Sequence, residues 1–409
     1  MSGPFFDEFE TRDPEARERA LMAALPGQVA HARAHAAYYA GTLAAVDPAA
    51  VASRAALAAL PVTRKSDLIA QQRRVPPFGG LNATAPAGLA RLFASPGPIY
   101  DPEGHGRDWW RFARALFAAG FRRGEILHNS FSYHLTPAGA MLESAAHALG
   151  CAVIPGGVGQ TEQQVRAIAD LRPHGYGGTP SFLKILLEKA GELGADVSSL
   201  TKALVSGEAL PPPLRQELAD RGVAVLQCYG TADLGLVAYE SPAREGMIVD
   251  EGVIVEIVRP GTGEPVPDGE PGEVVVTTFN RDYPLIRFAT GDVSAILPGA
   301  SPCGRSNARI KGWMGRADQT TKVRGMFVHP AQIAEVVRRH PEIARARLVV
   351  SGEAGRDQMT LECIAAASDA AFAERVADTL QSVTKLRGTV TFADASQAEG
   401  WTATIVDRR

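Results

Sequence analysis

Between residues 125 and 228 the chain alternates short apolar runs with stretches of helical periodicity, and this order constrains the fold more than any other feature. Apolar runs joined through helices cannot pair as tight hairpins. They line up in parallel and bury both faces beneath the connecting helices. The spacing predicts strands at 125–128, 151–155 (short and buried), 203–206 and 224–228. It predicts helices at 138–149, 161–171 with Thr161 as cap, 181–190, and 211–221 with a proline near its first position. A turn is expected at 175–178, where Gly-Tyr-Gly-Gly stands.

The patterning changes on either side. Residues 14–45 read as helix, closed by Tyr38-Tyr39, and a second helix precedes the segment 61–68. Residues 108–119 read as an amphipathic helix with Trp109, Phe112, Ala113 and Leu116 on its core side. From 247 to 297 the apolar residues recur with period two between Gly and Pro turns, which indicates an antiparallel sheet or distorted barrel. Then come a helix (331–340), two strands (346–351, 358–366), a helix (370–384), a strand (388–393) and a tail. At 409 residues the chain exceeds the roughly 250–300 at which single cores divide. The expected fold class is α/β, with a large N-terminal domain at 1–317 and a small α+β lid at 318–409.

Composition excludes several classes of partner. A net charge of −3 gives no support for nucleic acid or an anionic membrane. The cysteines (Cys151, Cys228, Cys303, Cys363) are scattered without a C-x-x-C pair, so neither a zinc knuckle nor a disulfide framework is indicated. The charged N-terminus lacks an apolar signal region and no long apolar run occurs, so a cytoplasmic protein is expected. Homodimerisation is left open.

The stretch 277–330 carries the clearest chemistry. Asp292 follows a glycine, and Arg316-Ala317-Asp318 precedes Lys322-Val323-Arg324-Gly325. A carboxylate can accept both hydroxyls of a ribose, and arginine can fork onto phosphate or ribose oxygens.

With this stretch, the chain resembles the phenylacetate–CoA ligase branch of the adenylate-forming enzymes over nearly its whole length. The resemblance is carried by Val205-Ser206-Gly207-Glu208-Ala209-Leu210, Cys228-Tyr229-Gly230-Thr231-Ala232-Asp233 and Arg287-Phe288-Ala289-Thr290-Gly291-Asp292. Cys303-Gly304-Arg305 through Gly315-Arg316-Ala317-Asp318, and residues 323–330, complete it. It implies ATP, Mg²⁺ and coenzyme A as cofactors, and a carboxylic acid, of aryl or arylacetic type, as substrate. It further implies that Gly207, Glu208 and Ala209 wall the adenine and that Tyr229 stacks on it, with Gly230 and Thr231 in the same loop. Asp233 would hold Mg²⁺, Asp292 the ribose hydroxyls, and Arg316 ribose or phosphate, while Asp318 would act as hinge. Ser95 would be what remains of the phosphate loop. Phe131, Tyr133, His134, Pro137, Ala138 and Gly235 would line the acyl pocket.

Three departures fall at the phosphate end. The phosphate loop is reduced to Ala94-Ser95-Pro96-Gly97-Pro98, in which the prolines have no N–H to offer. Asp233 stands where the family has glutamate, and Ala232 where it has a hydroxyl. Trp401 occupies the place of the C-terminal lysine that follows a glycine. Loss of such a cation costs on the order of 2–4 kcal/mol of transition-state stabilisation. Beside a CoA ligase, the sequence therefore leaves open a catalytically impaired binder of nucleotide, CoA or acyl ligand, or a transferase using another acyl acceptor.

Overall fold

Parallel layers over 125–228 are present in the computed structural model, which describes residues 3–95, 99–317, 321–323, 326–328, 330–352, 357–398, 401 and 403–408. The chain divides into two compact units, one formed by residues 1–259, 263–290 and 295–312, the other by 260–262, 291–294 and 313–409.

The first unit begins with helices α1 (Pro14–His35), α2 (Ala37–Thr42) and α3 (Arg54–Ala58). Asp13 caps α1 by accepting the Ala16 N–H at 2.8 Å, and Pro14 takes the first position, where no N–H is needed. After β1 (Thr63–Arg64) and α4 (Leu68–Arg74) comes a hairpin, β2 (Arg91–Ser95) and β3 (Ile99–Glu103). Its connecting residues 96–98, part of the altered phosphate loop, lie outside the described residues. Buried Gln72 holds the hairpin by accepting from Tyr100 N and donating to Tyr100 O.

Next come α5 (Ala113–Ala118), β4 (Ile126–Asn129), α6 (Ala138–Leu149), β5 (Ala152–Pro155), α7 (Thr161–Leu171), β6 (Gly175–Gly178), α8 (Pro180–Leu193), β7 (Lys202–Val205), α9 (Pro212–Asp220) and β8 (Ala224–Thr231). β9 (Gly235–Glu240), β10 (Met247–Val249), β11 (Val253–Val258), β12 (Gly272–Thr278), β13 (Phe288–Ser294), β14 (Ile296–Leu297) and β15 (Arg309–Ile310) follow. One nine-stranded sheet has the order β14-β15-β10-β9-β8-β7-β6-β4-β5. Strands β5, β4, β6, β7 and β8 pair in parallel, and the rest antiparallel. Alternation along β7 and β8 feeds two cores. Ala203, Val205 and Val225 join the α7–α8 side, while Leu204, Leu226 and Cys228 join the α5–α6 side. A four-stranded sheet, β1-β13-β12-β11, stands separately, and no closed barrel occurs among the described residues.

The second unit contains β16 (Thr321–Val323), β17 (Met326–Val328), α10 (Pro330–Arg339), β18 (Ile343–Ser351), β19 (Gln358–Ala365), α11 (Ala370–Thr384), β20 (Thr389–Phe392) and β21 (Ile405–Asp407). Its sheet has the order β20-β19-β18-β21 around a core that includes Val336, Leu348, Leu361 and Phe372.

Several expectations are corrected. Gly175–Gly178 is a fully buried central strand, not a turn. Its glycines are forced by packing: a Cβ on Gly177 would lie 2.1 Å from Leu142 Cδ2, and one on Gly175 2.6 Å from Phe121 Cζ. The helix expected over 108–119 shrinks to α5, because Asp108 (φ 49°) and Arg111 (φ 67°) take left-handed conformations that interrupt it. β5 is a half-exposed sheet edge rather than a buried strand. Thr161 is the first residue of α7, and the cap position falls to Gln160, which makes no side-chain cap. β10 and β14 join the nine-stranded sheet instead of the four-stranded one, and the tail ends in β21, parallel to β18.

Candidate active site

The chain passes from β4 through α6 to β5 on one side, then crosses to β6 on the other. Open parallel sheets bind ligands outside the carboxyl ends of their strands at such a switch point. A cavity of about 240 Å³ lies there. Phe131, Thr136 and Ala138 come from the segment after β4, Ser206 and Gly207 from beyond β7, and Gly230, Thr231 and Ala232 from the end of β8. Phe112, Met141, Leu142, Leu204 and Cys228 add apolar surface, and Ser95 reaches it from the hairpin. No charged side chain is among the lining residues described.

Of the residues singled out in the sequence, Ser95, Phe131, Pro137, Ala138, Gly207, Gly230 and Thr231 line this cavity together. Gly207 adopts φ 84°, a left-handed turn that suits glycine. Thr231 Oγ1 accepts the Leu234 N–H at 3.2 Å, which fixes the turn leading to Asp233. Tyr229 is buried, with its hydroxyl 3.2 Å from Thr290 Oγ1. Glu208 and Ala209 are exposed, and the Glu208 carboxylate caps α8 by accepting the Ser181 N–H at 2.6 Å.

Other candidates lie off the cavity wall. Tyr133 donates to Glu143 at 2.9 Å and accepts from Asn129 at 2.7 Å, and His134 is exposed. Gly235 (φ 73°) packs against the Trp110 backbone, where a Cβ would come within 2.6 Å of a carbonyl oxygen.

Asp233 is 3% exposed, and its Oδ2 accepts a hydrogen bond from Lys65 Nζ. Its Oδ1 is buried without a partner. Asp101 on β3 stands beside it, fully buried, and its Oδ2 accepts from Ser95 Oγ. Burial first, and the Asp233 charge second, push the Asp101 carboxyl well above the usual carboxylate range. Nothing in the sequence marked Asp101, because the aspartate gains its neighbour only when the hairpin folds onto the end of β8. Lys65 stood in a noted segment but carried no assigned role.

In the second unit, Arg316 Nη1 donates to Asp292 Oδ1 at 3.2 Å, and Trp313 Nε1 to the same oxygen at 3.1 Å. Asp292 and Arg316 also form an antiparallel bridge. Gly291 adopts φ 76°, a left-handed conformation that suits glycine, and a Cβ there would lie 2.7 Å from Arg316 Nη2. Asp318, Arg324 and Gly325 lie outside the described residues.

The family of AMP-binding enzymes matches residues 111–280. Phenylacetate–coenzyme A ligase of Thermus thermophilus is 34% identical over 335 residues, covering 78% of this chain and 74% of that protein. The chain belongs to the phenylacetate–coenzyme A ligase family. The ligase of Aromatoleum evansii is 32% identical over 333 residues, with the same coverage. Among solved structures, an open conformation of 2-hydroxyisobutyryl-CoA ligase in complex with 2-HIB-AMP and CoA aligns with a TM-score of 0.88. It is 23% identical and covers 99% of this chain and 95% of that one, a likeness of fold.

Magnesium is standard for this ligase family. No group of three or more His, Cys, Asp or Glu among the described residues is arranged to hold a metal by itself. A magnesium ion that accompanies a nucleotide needs fewer, since one or two carboxylates suffice beside phosphate oxygens and water. The unpartnered Oδ1 of buried Asp233 is such a hard oxygen donor, so the residues present fit the ion.

Proposed function

We propose that this protein is an ATP-dependent carboxylate–CoA ligase acting on an aryl or arylacetic acid. The acid's oxygen attacks the α-phosphorus of ATP, forming the acyl–phosphate bond and releasing pyrophosphate. The thiol of coenzyme A then attacks the acyl carbon and AMP leaves. Both steps depend on positioning and on neutralising phosphate charge rather than on a protein nucleophile.

The observation that carries the reading is the apolar cavity at the carboxyl ends of β4, β7 and β8, bounded by Gly207 and Gly230-Thr231 and followed by Asp233. A volume of about 240 Å³ with no charged wall favours an uncharged ring over a polar or dicarboxylic chain. In this reading Phe131, Met141 and Leu142 hold the ring. The backbone at Gly207 borders the adenine, Tyr229 supports it, and Thr231 sets the loop beside the α-phosphate. Asp233 holds magnesium, which neutralises phosphate charge when bound. Asp292 accepts the ribose hydroxyls and Arg316 reaches ribose or phosphate. The lid is assigned to residues 318–409, with Asp318 as its hinge.

Purified protein incubated with ATP, Mg²⁺, CoA and a panel of aryl, arylacetic and short aliphatic acids tests this. Acid-dependent release of AMP and pyrophosphate, highest with aromatic acids, is expected. Folded protein that yields neither product with any acid would sink the proposal.

A further inference from the structure

Asp101 and Asp233 present an unsolved problem of hydrogen bonding. Their carboxyl groups are within hydrogen-bonding reach of each other and are 0% and 3% exposed. One oxygen of each is satisfied, Asp101 Oδ2 by Ser95 and Asp233 Oδ2 by Lys65. The remaining Oδ1 of each is buried with no partner. The buried hydroxyl of Tyr283 has no partner either. Two carboxylate oxygens only accept, so they remain side by side when a proton or a cation lies between them.

The position of the pair favours the cation. Residues following β8 are where the family resemblance puts the phosphates, and ATP is most anionic there. A second buried carboxylate at that end would repel the triphosphate unless a divalent ion stood between them. Among the described residues, the ammonium of Lys65 is paired with Asp233. The same β2–β3 hairpin that delivers Asp101 has prolines at 96 and 98, which have no amide hydrogen to offer phosphate. Magnesium bound by two carboxylates, phosphate oxygens and water has the ligand set that the two Oδ1 atoms begin.

We propose that Asp101 is a second protein ligand, beside Asp233, for the magnesium that accompanies ATP, so that this chain grips the triphosphate through a carboxylate-held metal. The inference rests on the ligase reading, and its test separates the two.

Mn²⁺ is the probe, titrated into the full chain with α,β-methylene-ATP and followed by the loss of its free electron paramagnetic resonance signal. AMP affinity is measured calorimetrically in EDTA alongside. Asp101→Asn and Asp233→Asn should each raise the Mn²⁺ Kd at least tenfold, while the AMP affinity of Asp101→Asn stays within twofold of wild type. Asp101→Glu keeps the charge and moves it by one methylene, and should shift the Mn²⁺ Kd several-fold, which decides the matter if Asp101→Asn does not fold. An Mn²⁺ Kd unchanged in the Asp101 variants but raised in Asp233→Asn would overturn the proposal and assign Asp101 a shared proton. A wild type that binds no adenine nucleotide would overturn the ligase reading itself, and with it any role for Asp101 toward ATP.

Discussion

Arg287 opens the motif that ends in Asp292, and the sequence assigns it no role. The folded chain gives it a structural one. The guanidinium is 2% exposed, bonded to Glu256 at 3.1 Å and to the carbonyls of Ala58, Leu60 and Gly263. It ties the end of α3 to the four-stranded sheet. Arg287→Met would remove the salt-bridge partner of buried Glu256, a change that costs about 3–5 kcal/mol. A urea midpoint lowered to match is expected, and an unchanged midpoint would count against this role. Asp108 gives a residue-scale prediction in pH. Burial is the main cause that raises its carboxyl from 3.8 to about 7, the Ala113 N–H opposes this, the Asp250 charge adds to it, and Arg111 opposes. The folded state therefore holds the proton more tightly than the unfolded chain. That contribution is fully present below about pH 4 and is lost as pH rises through 7. Asp108→Asn keeps an acceptor for Ala113 and removes the titration. Its melting temperature relative to wild type should thus be higher at pH 8 than at pH 5, and equal differences at both would refute the assignment.

At the scale of elements, β6 shows most clearly what the sequence did and did not disclose. Helices α6 and α11 fall at the boundaries that periodicity predicts, because their apolar stripes repeat over several turns. Gly-Tyr-Gly-Gly carries no apolar run, so local chemistry reads it as a turn. Only the side chains of Leu142 and Phe121, distant in sequence, explain why a central strand needs glycine. Gly177→Ala tests this. The added methyl would meet Leu142, which also lines the cavity, so about 1–3 kcal/mol of overpacking is expected together with a raised KM for the aromatic acid. A variant with wild-type melting temperature and KM would show that Leu142 relaxes without effect. The candidate site divides in the same way. Among the residues that line the cavity, Gly207, Gly230 and Thr231 were legible because they lie in contiguous motifs. Leu142 and Leu204 were not, because each reaches the cavity through strands and helices that meet only on folding.

At the scale of the whole molecule, the two units have separate cores, and Trp401 lies in the second unit. The sequence resemblance sets it at the place of the family's terminal lysine, and it is 5% exposed. Its ring lies beneath Arg347 at 4.4 Å and Arg345 at 5.9 Å, and Arg345 also donates to its carbonyl. Arg347 is held in turn by Glu362 at 2.7 Å. A residue packed in this way contributes to the stability of its unit rather than to charge around a phosphate. Truncating a buried tryptophan removes about 3–5 kcal/mol. In a unit of roughly a hundred residues, each kcal/mol moves the midpoint by about 4–8 °C. Calorimetry of the full chain should therefore resolve two transitions, with Trp401→Ala lowering the one of smaller enthalpy by ten degrees or more and leaving the larger in place. If both transitions moved together, the units would unfold as one, and the stability supplied at Trp401 would be shared with the sheet that carries the acyl cavity.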